Sequence, residues 1–255
     1  TRTATALPTT TAARKDTERA TTMEEMMKTM LCGETGGAPL SEASYKLYYF
    51  DIAGKGEGIR LAFTYCGVPF EDYRFADREE FNEMKASGRL MFGQVPALEV
   101  SPLGKEVTLL NQSAAVLRFI GKLKPEVGLY PTDPLVAAKV DALCDQEADA
   151  FMGLRVTKYK DRFGFGFLGD EANAAQLAAA VEANNGEVIP RHLATLAKHV
   201  EAGGTGWLAG TAGPTIADFA WVPVLAAIAD GWTGDAAALD ATPALVALKD
   251  KFYAL

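Results

Sequence analysis

The sequence predicts a small α/β domain followed by an all-helical one, and three observations carry that reading. Short aromatic and β-branched runs alternate with helical patterns as far as residue 123. Pro125, Pro131 and Pro134 then punctuate a connector, after which strand signals stop. Beyond it the chain reads as Ala- and Leu-rich helical stretches, with Gly and Pro mainly in the gaps. The divisions fall at 1–44 (an N-terminal extension), 45–124 (the α/β domain), 125–134 (a linker) and 135–255 (the helical domain).

Each element has its own reason. KLYYF (46–50) is a short aromatic strand, and the Gly-rich turn GKGEG (54–58) leads into a helix, IRLAFTYCG (59–67), that Gly67 ends. VPFEDYRF (68–75) alternates as a second strand, with Phe70, Asp72 and Arg74 on one face and Glu71 and Tyr73 on the other. Residues 78–86 are charged and helix-forming. VPALEV (95–100) and EVTLL (106–110) are strands joined by a turn at Pro102–Gly104, and SAAVLRFIGKL (113–123) is an amphipathic helix. Parallel β-α-β units closed by a hairpin describe a thioredoxin-like α/β sandwich. Helical patterns follow at 135–161, 171–202, 215–230 and 243–253, separated by FGFGFLGD (163–170) and AGGTGWLAGTAGP (202–214).

Composition excludes several functions. Over 255 residues, 25 Lys+Arg face 33 Asp+Glu, and the net charge of −8 lacks the basic footprint of a nucleic-acid binder. It also disfavours an anionic membrane surface. No run approaches the roughly 18 apolar residues that span a bilayer. Cys32, Cys66 and Cys144 lie far apart, as reduced thiols do, and the two histidines, both late in the chain, exclude a His-rich metal site. A soluble, cytoplasmic protein is expected. Residues 1–22 hold nine Thr, four basic and two acidic residues without apolar periodicity, a composition that leaves a plastid or mitochondrial address open. The opening on Thr1 rather than Met hints at cleavage or an incomplete sequence. Thr22 and Glu25 then make a capping box, and Met23, Met26, Met27 and Met30 form one apolar stripe, suited to docking on the body of the chain or on a protein partner through residues 22–32. Gly33, Gly36, Gly37 and Pro39 break the chain after it.

Several residues invite a chemical reading. Tyr49 ends the first strand beside the glycine turn, while Tyr48 points to the opposite face; packing alone would also explain either ring. Val95–Pro96 stands where thioredoxin-like folds use a cis X–Pro bond. Gln112–Ser113 opens a helix, whose unpaired N–H groups and positive dipole end suit a carboxylate. Asp141, Asp145 and Asp149 share one helix face, and three like charges there need compensation. His192 and His199 are seven apart, too far for joint ligation. Thr215-x-x-Asp218 is a structural capping box.

From about Tyr45 onward, KLYYFD, GKGEGIR, FGQVPALEV, NQSAAVLRFI and GPTIADF together resemble the cytosolic glutathione transferases, most closely the sigma-like class. The resemblance implies the glutathione transferase fold, glutathione as co-substrate and a homodimer. It implies that the Tyr49 hydroxyl donates to the glutathione sulfur, favouring the thiolate. Val95, before Pro96, would offer its backbone to the cysteinyl part, with Gln94 beside it. Gln112 and Ser113 would hold the γ-glutamyl carboxylate, and Phe81 and Lys85 the glycyl end. Asp149 would reach the partner subunit's glutathione; a divalent cation between subunits, or a merely solvated acidic face, are its other readings. Phe50, Phe151, Met152 and Val156 would line an apolar electrophile site, with the Phe163–Phe167 loop as a flexible wall or a packed turn. Lys55 departs from the family's arginine and keeps the charge without the planar fork. The family usually continues past the KFYAL at which this chain stops. The expected activity is conjugation of glutathione to small apolar electrophiles, or isomerase or peroxidase chemistry with it. The alternative is a structural or docking subunit on the same fold.

Overall fold

A computed structural model describes residues 40–255. The Met stripe at 23–30 and the rest of the extension before residue 40 lie outside the described residues.

Four strands form one mixed sheet: β1 (Ser44–Phe50), β2 (Glu71–Phe75), β3 (Ala97–Ser101) and β4 (Thr108–Asn111), in the order β2-β1-β3-β4. β1 runs parallel to β2 and antiparallel to β3, and β3 antiparallel to β4. The side-chain alternation of β1 separates two cores. Tyr45 and Leu47 face helices α1 (Glu57–Tyr65) and α3 (Ser113–Leu123), while Tyr48 joins Phe75, Phe81, Met84 and Ala97 on the other face. Helix α2 (Arg78–Ala86), capped by Asp77 accepting the Glu80 N–H at 2.9 Å, covers that second face.

Register decides where a site can form. Tyr48 lies opposite Ala97, and Ala97 opposite Asn111. The end of β1, the start of β3 and the end of β4 therefore meet at one edge, bringing Tyr49, Val95–Pro96 and Gln112 together.

The remaining helices are α4 (Pro134–Ala150), α5 (Met152–Lys158), α6 (Ala174–Ala183), α7 (Ile189–Gly203), α8 (Ile216–Ala229), α9 (Ala236–Asp240) and α10 (Pro243–Tyr253). α8 is the hub, packed against α1, α4 and α10, with Trp221 fully buried and its indole N–H donating to the Leu143 carbonyl at 2.7 Å. The capping box at its start is present: Asp218 accepts the Thr215 N–H at 2.7 Å, and also the Leu208 N–H at 3.0 Å. That second bond fastens the preceding glycine-rich loop. Burial pushes the Asp218 carboxyl above its ordinary range, and these N–H donors pull it back.

The helical stretches are more interrupted than the sequence predicts. The expected 135–161 helix breaks at Phe151, whose ring turns inward to lie 6.0 Å from Trp221. The expected 171–202 helix contains a wide π turn, Asn184–Val188, where a Cβ on Gly153 would fall 1.9 Å from the Asn184 Oδ1. Gly153 thus lets α5 approach that turn. Within FGFGFLGD, Gly166–Gly169 is a 3-10 turn, and another, Lys160–Phe163, leads into it. No described helix is long and apolar enough to cross a membrane.

One glycine tests the packing of the α/β part on the helical part. A Cβ on Gly58, inside α1, would lie 2.2 Å from the Phe219 carbonyl oxygen on α8. In a free helix, Gly→Ala stabilises by about 1 kcal/mol. Here Gly58→Ala is expected to destabilise by about 1–3 kcal/mol, because the two backbones must separate. Chemical denaturation of the variant measures the sign directly.

Candidate active site

Tyr49 sits where β1 ends, and the glycine turn closes over its ring. A Cβ on Gly56 would lie 2.6 Å from the ring and one on Gly54 2.6 Å from the hydroxyl, so larger residues at either place would displace the tyrosine. The side chain is 7% exposed. Its oxygen accepts the Lys55 backbone N–H at 2.9 Å. A phenol oxygen that accepts one bond still has its own proton to donate. Burial raises the Tyr49 pKa above its ordinary value of 10.0; the Lys55 N–H and the Arg60 and Arg162 guanidinium groups oppose the rise, and Tyr159 adds to it. At neutral pH the group is a neutral donor.

The Lys55 side chain turns from Tyr49 to Glu147. Its Nζ bonds the Glu147 carboxylate, and Arg155 Nη2 reaches the two Glu147 oxygens at 2.8 and 2.9 Å. The Glu147 side chain is 5% exposed and the Lys55 side chain 36%. Loss of water lowers the Lys55 pKa, and the carboxylate beside it raises it in part. One buried anion thus holds two cations and pins the turn whose N–H fixes Tyr49. The sequence reading missed Glu147 and Arg155. The signal was available, since Glu147 falls in register with the buried stripe Val140, Leu143, Cys144 of α4.

The other elements that the motifs single out converge at the same place. Val95–Pro96 is cis. Asn111 Nδ2 donates to the Gln94 carbonyl at 3.4 Å, and among the described residues its buried Oδ1 has no partner. Gln112 is the one described non-glycine residue with positive φ (71°), and it opens α3 without any side-chain cap. The first N–H groups of α3, from Ser113 on, are therefore open to a ligand. The exposed Lys85 lies across Gly93, the residue before Gln94, its Cε 3.0 Å from where a Cβ would stand.

Other expected residues are placed differently. Phe151 is 3% exposed in the helical core, so it does not line an open wall; the break that ends α4 draws it inward. Phe81 is buried among Phe50 and Phe75, with ring centroids 5.1 and 5.7 Å away. Phe50 is half-buried, 5.8 Å from the Tyr49 ring, while Met152 is exposed and Val156 half-buried on α5. The acidic stripe finds its counter-charge within the chain: Arg118 bonds Asp141 at 2.5 Å and Asp145 at 2.9 Å, and Tyr130 donates to Asp141 at 2.8 Å. Asp149 is exposed and has no ion pair among the described residues. Among those residues no three His, Cys, Asp or Glu side chains are grouped to hold a metal. Cys144 is buried beneath the stripe, which pushes its thiol up to about 12. A recess of about 1060 Å³ lies at the other end of β1, lined by Leu40, Lys46, Phe70 and Lys122. It shares no residue with this cluster, and the convergent polar groups single out the Tyr49 edge.

Comparison with known proteins gives a consistent picture. Residues 166–255 match the model for the glutathione S-transferase C-terminal domain. Glutathione S-transferase 1 of Ascaris suum is 43% identical over 111 residues, 44% of this chain and 48% of that protein. The chain spans about half the length of this and a second curated relative, and 65% of a third. A crystal structure of a nematode-specific glutathione S-transferase from C. elegans superposes with a TM-score of 0.62 at 30% identity, over 84% of this chain and 92% of that one. The structure of prostaglandin synthase D of Nilaparvata lugens superposes with a TM-score of 0.67 at 27% identity, over 83% and 93%.

Proposed function

The chain belongs to the glutathione S-transferase family, and on that premise we propose that it binds glutathione, activates its thiol at Tyr49 and adds the sulfur to small apolar electrophiles. Isomerase or peroxidase chemistry would begin from the same bound thiolate. The observation that carries this reading is the buried Tyr49 hydroxyl, whose oxygen takes the Lys55 N–H and whose proton remains to be donated. A donor that bonds the thiolate more strongly than the thiol lowers the thiol pKa, and each unit is worth about 1.4 kcal/mol. Free thiols near pKa ~8.5 are mostly protonated at neutral pH, so this raises the population of the nucleophile.

In this proposal the Val95 backbone pairs with the cysteinyl residue of glutathione beside Gln94 and Pro96. The γ-glutamyl carboxylate sits on the open N-terminus of α3, at Gln112 and Ser113. The positive φ of Gln112 supports that role, since such backbone conformations persist where function uses them. Lys85 takes the glycyl carboxylate, and Phe81 backs the segment from the core. Asp149, exposed and without an intrachain ion pair, meets the amino group of a partner subunit's glutathione in a homodimer. Lys55 holds the turn through Glu147 and aids the thiolate only through the field. Met152 and Val156 face the electrophile, whereas Phe50, expected beside them, packs with Phe75 and Phe81 on the other face of β1. The motifs support a sigma-like placement, a division at 45–124 and 135–255, and a cytoplasmic protein.

The test is the initial rate of glutathione conjugation to chlorodinitrobenzene near neutral pH. A clear rate above the uncatalysed background supports the transferase reading. Saturable glutathione binding without any rate would favour the docking-subunit alternative instead.

A further inference from the structure

The segment that follows Val156 runs from the end of α5 into a 3-10 turn, Lys160–Phe163, and is not used by the chemistry above. The Tyr159 N–H donates to the Arg155 carbonyl at 2.8 Å, and the Arg162 N–H to the Tyr159 carbonyl at 3.0 Å, so α5 and the next 3-10 turn are one run of consecutive turns. Residues four apart on such a run are neighbours on one face, and the following turn continues it. Arg155 anchors this face to Glu147 and hence to the Lys55 turn. Tyr159 lies one turn beyond Arg155 on this run and Arg162 one turn beyond Tyr159, and both act electrostatically on the Tyr49 hydroxyl.

The chemistry of this face is unusual for the chain. The protein carries a net charge of −8, yet RVTKYKDR (155–162) holds four cations and one acid. Arg162 is exposed, and its guanidinium stands 5.6 Å from the Phe163 ring; it has no ion pair among the described residues. Lys158 Nζ lies 4.7 Å from the ring centroid of Trp232, which is 62% exposed, and 6.0 Å from that of Tyr159, which is 50% exposed. The single acid, Asp161, turns back over Gly166, where a Cβ would meet its Oδ1 at 2.6 Å. Apolar ring surface and the exposed charges of Lys158 and Arg162 thus stand side by side on the run that begins at the Lys55–Glu147–Arg155 cluster.

Resting on the transferase reading, we propose that Arg162 is a specificity-determining residue and that, with Tyr159 and Lys158, it selects electrophiles that carry a carboxylate on an aromatic or unsaturated apolar body. The rings take the apolar body and the guanidinium takes the carboxylate, which leaves the electrophilic carbon toward the sulfur on Tyr49. The carboxylate plays no part in the bond changes. With a chloronitroarene acceptor, the thiolate sulfur forms the new S–C bond, chloride leaves with the C–Cl pair, and the thiol proton has already passed to solvent.

The experiment compares two acceptors with the full chain: chlorodinitrobenzene, and the chlorodinitrobenzoate whose carboxylate is para to chlorine. Each kcat/KM is divided by the uncatalysed rate constant of that acceptor. The corrected ratio of benzoate to neutral acceptor is expected to exceed one and to fall as salt is added. Arg162→Gln should lower that ratio about fivefold, the effect of losing one partly solvated ion pair, and Arg162→Lys should restore most of it. A ratio of one or less in the unaltered protein, or a ratio that Arg162→Gln leaves unchanged, overturns this proposal while the transferase reading stands. If neither acceptor reacts faster than background, the transferase reading falls, and this proposal with it.

Discussion

Tyr49→Phe is expected to lower kcat/KM for conjugation by about 10- to 100-fold, the worth of one charge-assisted hydrogen bond to a thiolate. The ring stays, so the glycine turn keeps the surface it packs on. The variant loses the proton given to sulfur and the oxygen that accepts the Lys55 N–H. That second loss costs about 1 kcal/mol of stability and does not unfold the protein. The pH dependence separates the effects. Removing the donor raises the pKa of the bound thiol, so the rising limb of kcat/KM moves to higher pH and the two proteins converge once the thiol is ionised in both. Tyr49 itself has a pKa raised above 10.0 by burial, so its own ionisation adds no falling limb across the neutral range. A variant with unchanged kcat/KM, or a loss that is the same at every pH, would remove Tyr49 from the role assigned to it.

Glu147→Gln is expected to have the largest effect on stability. The carboxylate is 5% exposed and holds Lys55 and Arg155 together. Neutralising it leaves two cations facing each other with little water, and breaking a buried pair in this way costs about 3–5 kcal/mol. Lys55 retains 36% exposure, which places the expected loss near 3 kcal/mol, the lower end of that range. Lys55→Met should cost clearly less, because Arg155 still neutralises Glu147. Equilibrium urea unfolding gives both numbers. A loss below about 1 kcal/mol for Glu147→Gln, or a greater loss for Lys55→Met, would show that the cluster does not hold the turn.

Much of this architecture is legible in the sequence. The β-α-β-α-β-β-α order follows from alternation and turn residues, and the Thr215–Asp218 box and the cis Val95–Pro96 bond stand where the motifs placed them. The breaks in the helical part were not legible. Ala-rich stretches keep a helical pattern whether or not the backbone turns at Phe151 or widens at Asn184–Val188, and those breaks coincide with contacts to Trp221 and Gly153 that are remote in sequence. Arg118 read as one polar position of an amphipathic helix, and nothing local marks it as the counter-charge of Asp141 and Asp145, 23 and 27 residues later. Glu147 left a trace, an acid inside an apolar register, whereas its partner Lys55 is 92 residues away. The resemblance suggests the glutathione contacts; the charge cluster that holds the turn beside Tyr49 is a property of the folded chain.

The most direct test of the central claim is a titration of the bound thiol itself, followed by the ultraviolet absorbance of the thiolate in the binary complex of the protein with glutathione. The account predicts an apparent pKa at least one unit below the ~8.5 of a free thiol, and a return toward that value in Tyr49→Phe. A bound thiol that titrates like free glutathione in the unaltered protein would contradict it.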